Sequence, residues 1–135
     1  MHLRILVVMV LAAFAFPAVA DAGQIHTATK LLKGKRFATH IGSVDSATID
    51  RTLDLCRNGR YVYRSTFLYP NADELQEETL TGRWKVVKAR LRGGFGTVHV
   101  RWTGDQGGSG KVTLIAIRRG VYVDGQVAEV VRAGC

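Results

Sequence analysis

Residues 53–63 read LDLCRNGRYVY, an alternating apolar run, a turn signal and a second alternating run. Apolar–polar alternation is the signature of a half-buried strand, and Asn-Gly between two such runs marks a hairpin. Two registers compete. A two-residue loop of Asn58 and Gly59 sets Leu55 opposite Val62 and Leu53 opposite Arg64, which mixes the two faces. A three-residue loop of Arg57, Asn58 and Gly59, with Gly59 left-handed at a bulge, sets Leu55 opposite Tyr61 and Leu53 opposite Tyr63. Phe67 then continues the apolar face, and Thr52, Asp54 and Cys56 point outward with Arg60, Val62 and Arg64. Cross-strand partners share a face, so the second register is the one that segregates apolar from polar.

That outward cysteine has one partner available, since Cys56 and Cys135 are the two cysteines of the chain. The pairing depends on compartment. Arg4 precedes an apolar run from Ile5 to Phe16, followed by Pro17-Ala18-Val19-Ala20, the pattern of a secretory signal peptide with cleavage near Ala20. The run falls short of the roughly 20 apolar residues of a spanning helix. Export to the periplasm or the exterior makes an even cysteine count read as a disulfide closing a loop of roughly 80 residues. An intermolecular bridge through the terminal Cys135 is the alternative.

Residues 21–135 are then a single domain, large enough to bury about two-thirds of its unfolded surface. Without Arg4, 18 Lys and Arg face 11 Asp and Glu, a net charge of +7. On an exported protein that excess favours anionic neighbours, such as envelope components, as well as plain solubility. The reading is of a monomer with no cofactor and no specific nucleic-acid partner.

Gly-containing breaks at 57–59, 93–96, 104–110, 119–120 and 124–125 punctuate runs rich in β-branched and aromatic residues. Strands are expected near 34–41, 49–56, 60–69, 82–92, 97–103, 111–118, 120–123 and 126–132. The fold class is all-β, an antiparallel up-and-down meander of seven or eight strands forming a small barrel or half-barrel. Ile25, Ala28 and Leu31 or Leu32 have the spacing of a short helical turn before the first strand. Asn71–Thr79, with Asp73, Glu74, Glu77 and Glu78, reads as an acidic loop or a further short helix.

Three short motifs carry a family resemblance: Leu32-Lys33-Gly34-Lys35-Arg36-Phe37, the Leu53–Tyr63 hairpin, and Gly82-Arg83-Trp84. Together they resemble small exported bacterial domains of lipocalin-like, calycin-type character. The resemblance implies a barrel whose interior holds a small apolar or amphipathic ligand. In true lipocalins Gly-x-Trp precedes the first barrel strand, whereas Trp84 is mid-chain, and 115 residues suit a narrow, side-chain-filled barrel or half-barrel as well as a calyx. The aromatics Tyr61, Tyr63, Phe67, Trp84 and Trp102 are the candidate ligand contacts, with Tyr69 beside them, or else they are core. Tyrosine hydroxyls and indole N–H groups would supply the polar contacts.

Catalysis has little support. His26, His40 and His99 are dispersed, Ser109 sits in a glycine-rich loop rather than a strand-to-helix elbow, and the acidic cluster lacks the alternating ligands of a calcium loop. The expectation is a non-enzyme without a metal site.

One charge pattern remains. Residues 83–92, RWKVVKARLR, hold five cations and no acid. Trp84 and Val86 share one phase, while Val87, Ala89 and Leu91 share the other. Keeping both sets inside requires a bulge near Val86-Val87. Lys85 then projects outward before it, and Lys88, Arg90 and Arg92 after it. With Arg60, Arg64 and Arg101 on neighbouring strands they form a basic band. This opens a second class of function, a module docking on anionic envelope or host surfaces or inhibiting a hydrolase. A purely structural envelope protein is the third.

Overall fold

The computed structural model describes residues 22–42, 47–70, 74–118 and 120–135. The expected signal peptide and its cleavage point lie outside the described residues, as does the stretch 71–73 of the acidic segment.

A helix, α1 (residues 22–32), leads into eight strands: β1 (Lys35–Ile41), β2 (Thr48–Leu55), β3 (Arg60–Leu68), β4 (Gln76–Arg92), β5 (Phe95–Gly104), β6 (Ser109–Ile117), β7 (Gly120–Val123) and β8 (Gln126–Arg132). Each pairs antiparallel with the next, and β8 returns to β1, so the meander closes into a barrel. Closure removes the free sheet edges that an open meander would expose to other chains. The closing seam is short, running from Lys35 opposite Arg132 to Ala38 opposite Glu129.

The 53–63 hairpin takes the three-residue register. Leu55 opposes Tyr61, Leu53 opposes Tyr63 and Ile49 opposes Phe67. Gly59 has φ +82°, and its N–H donates to the Cys56 carbonyl while the Cys56 N–H donates to the Arg60 carbonyl. Only glycine takes that backbone conformation without strain. The bulge in β4 is also present, with the register against β5 shifting between Val86 and Lys88. Trp84 and Val86 are buried before it and Ala89 after it, while Lys85, Lys88 and Arg90 stay exposed.

Residues 76–79 are a correction to the acidic-loop reading. β4 begins at Gln76 and pairs with β3, setting Glu77 opposite Thr66 and Glu78 opposite Ser65. All of 76–81 are exposed, so no buried face left an alternation to read. The unpaired backbone of β3 recruits this segment, because its N–H and C=O groups need partners whatever side chains the segment carries.

The core follows the period-two phase, centred on Leu55, Val86 and Val100, each 1% exposed. Helix α1 covers one end of the barrel through Ala28 and Leu32, which join the cluster of Phe37, Val98 and Leu114. Leu31 is 47% exposed, so Leu32 is the anchoring member of that pair. Gln24 Oε1 accepts a hydrogen bond from the Leu91 N–H at 2.5 Å, pinning the helix to the end of β4.

Cys56 is bonded to Cys135. The phase expected for Cys56 and Asp54 holds, yet both are buried at 3% exposure on the outer side of the sheet. Asp54 lies under a bidentate pair with Arg36, whose Nε and Nη2 donate at 2.6 and 2.7 Å, and Arg64 stands 3.8 Å away. Cys56 lies under the C-terminal segment, where Cys135 accepts from the Arg57 N–H and Ala133 donates to the Gly34 carbonyl.

Candidate functional site

Away from α1 the barrel interior is not filled. A cavity of about 310 Å³ extends between Phe37, Leu53, Leu55, Tyr61, Val100 and Val112, and reaches solvent beside Leu80, Lys111 and Asp124. A void of about 160 Å³ lies beneath α1, and Phe37 lines both spaces. The first volume is at the lower end of ligand-sized pockets.

Four of the five aromatic candidates come together on the cavity: Tyr61, Tyr63, Trp84 and Trp102. Phe67 lies off its lining, half-buried between Ile49 and Gln76 on the inner phase. Tyr69 falls beyond the end of β3 and is 50% exposed.

Two glycines make room for the rings. Tyr61 lies over Gly82, where an added Cβ would fall 2.7 Å from the ring and 2.1 Å from the Thr103 carbonyl oxygen. Trp102 lies over Gly110, its indole atoms 2.7–2.9 Å from the position of a Cβ. Both glycines sit on the inner phase, Gly82 opposite Tyr61 and Gly110 opposite Trp102. The rings therefore fold down against backbone instead of filling the centre. Tyr61 and Trp102 meet edge to face, their centroids 6.3 Å apart at 71°, an orientation favoured by the ring quadrupoles.

The polar inventory differs from expectation. The Trp84 indole N–H is already used, donating to the Cys56 carbonyl at 3.1 Å. Burial raises the Tyr61 phenol above its ordinary pKa, and the Asp105 charge adds to that. Asp105 itself is held below its ordinary value, first by Arg60 and then by the Thr81 hydroxyl, both of which donate to it. The charged residues on the cavity lining are Arg51, Lys111 and Asp124. Arg51 was not among the candidates, although its signal was in the hairpin: it is two residues from Leu53 and so shares the inner phase.

The basic band divides. Arg60 is paired with Asp105, and Arg64 stands near Asp54. Among the described residues no ion pair includes Lys85, Lys88, Arg90, Arg92 or Arg101. The register sets Lys85 opposite Arg101, and Arg101 opposite Lys111, so three exposed cations stand in one row across β4, β5 and β6.

Among the described residues no group of three or more His, Cys, Asp or Glu is placed to hold a metal ion. The sequence matches no family model, and comparison with curated proteins and with solved structures returns no match.

Proposed function

We propose that this is an exported, lipocalin-like binding domain that holds a small apolar or amphipathic molecule inside its barrel. The observation that carries the reading is the cavity of about 310 Å³, walled by apolar and aromatic side chains and open to solvent beside Leu80. Removing an apolar molecule from water into such a space stabilises the complex by roughly 25 cal/mol per Å² buried. Trp84 and Trp102 are the two tryptophans of the chain and both line the cavity. Intrinsic fluorescence therefore reports on the site directly. Protein purified without detergent is expected to carry a non-covalent adduct in native mass spectrometry, and stripped protein to change its tryptophan emission on titration with medium-chain alcohols and acids. Absence of both responses would remove the reading.

A second reading, docking on an anionic envelope surface, is favoured by the row Lys85, Arg101 and Lys111. Like charges directly opposite across a sheet are destabilising, and a polyanion would relieve them. Changing the three together to Gln should leave the fold at least as stable. It should weaken adsorption to anionic vesicles at low salt by about 1 kcal/mol or less per cation, with added salt weakening the parent protein similarly. Unchanged adsorption of the folded triple variant would reduce the row to solvation.

A further inference from the structure

We infer that the cavity selects amphiphiles with an anionic head, and that Arg51 is the residue that holds it; this rests on the interior-ligand reading above. Arg51 lies on the inner phase of β2, opposite Thr39 on β1 and Ser65 on β3, and is one of the residues that line the cavity. The residue is half-buried, and its Nε is shielded from solvent with no hydrogen-bond partner among the described residues. Ser65, directly across the ladder, is 0% exposed and its Oγ is likewise unpartnered. None of the carboxylate ion pairs among the described residues involves Arg51.

A guanidinium on the inner wall of an apolar barrel is unfavourable unless an anion meets it. Packing does not ask for it, since the same wall carries Leu53 and Leu55 at the next two inward positions of β2. The group that answers a guanidinium best is a carboxylate or phosphate, whose oxygens match its planar fork. Lys111 touches the lining only at its open rim, since it shares the outward phase of Arg101. Asp124 is the one acid there, and its Oδ1 is occupied by the Thr113 N–H at 2.8 Å.

The space sets the tail. At about 30 Å³ per water-sized group, the cavity has room for roughly ten non-hydrogen atoms, enough for an eight-carbon chain and the inner part of its head group. A medium alkyl chain ending in an oxyanion fits, with its tail against Phe37, Leu55 and Val100 and its head at Arg51.

The test compares octanoate, octyl phosphate and octanol by tryptophan fluorescence in the stripped full-length mature protein. The two anions should bind on the order of tenfold more tightly than octanol, the difference expected of a hydrogen bond to a charged partner. Arg51→Met should remove that preference while leaving octanol affinity within about twofold, and Arg51→Lys should keep part of it. Preference for octanoate over octyl phosphate, or the reverse, identifies the source of the head group. Equal binding of all three by the parent protein overturns the role of Arg51 but leaves the cavity as a ligand site. A preference that survives Arg51→Met overturns it too. Failure of every compound to bind removes the cavity reading and this inference together. The parent comparison needs no variant, and Arg51→Gln replaces Arg51→Met should circular dichroism show the latter unfolded.

Discussion

Replacing both Cys56 and Cys135 by Ser should lower folding stability by about 4 kcal/mol, read as a shift of the urea midpoint. The bridge spans a sequence separation of 79 residues, so its loss frees the loop that carries β3 to β8 in the unfolded ensemble. Against the 5–15 kcal/mol typical of a domain, that is a large fraction of the total. The effect should be concentrated at the seam. β8 meets β1 over a few residues only, and the segment that follows β8 is held by the bridge and by the Ala133 and Arg57 backbone hydrogen bonds. Amides of β8 should therefore exchange faster in the double-Ser protein than those of β2 and β3. Two thiols reacting per chain in the denatured, unreduced parent protein would show that no bridge exists.

The next largest effect is expected from a single methyl group. Gly82→Ala should cost about 3 kcal/mol, at the upper end of overpacking penalties. Its Cβ would meet the Thr103 carbonyl at 2.1 Å, and backbone in a closed barrel has no direction in which to yield. The Tyr61 ring would also be pushed from Gly82 toward the cavity, so ligand-induced changes in tryptophan emission should shrink as well. Gly59→Ala is the natural comparison. There nothing lies within 4 Å of the added atom and the penalty is the left-handed backbone alone, about 1 kcal/mol. Equal midpoints for the two variants would mean that the ring and carbonyl above Gly82 relax freely, contrary to the packing described.

Gly82 also shows how far a motif carries. Gly-x-Trp was visible at 82–84, and so was the strand that holds it. Its physical content, a ring folded onto a glycine and an indole N–H bonded to the Cys56 carbonyl, needed the neighbours. The same holds for the aromatic candidates. Their inward phase was readable for Tyr61, Tyr63 and Phe67 alike, but Phe67 lies off the cavity lining, because depth along the barrel is not a property of phase.

The inward phase of Arg51 is legible in the sequence. Thr52 outward and Leu53 inward place it inside without further information, yet a cation in a strand is ordinarily read as solvated. Asp54 is the reverse: its outward phase was right, and its burial came from Arg36 on β1, eighteen positions away in sequence.

What the sequence by itself determined was local and periodic. The hairpin register followed from which three-residue loop keeps Leu53, Leu55, Tyr61 and Tyr63 on one face, and the β4 bulge from two apolar sets out of phase within one strand. The disulfide followed from parity and an expected export signal. What only the tertiary structure decided was non-local: the closure of β8 on β1, the recruitment of residues 76–79 to β3, the space left unfilled inside, and which cations are paired. Phase alternates residue by residue and is written in neighbours, whereas edge pairing, enclosed volume and charge pairing depend on strands brought together from tens of residues apart.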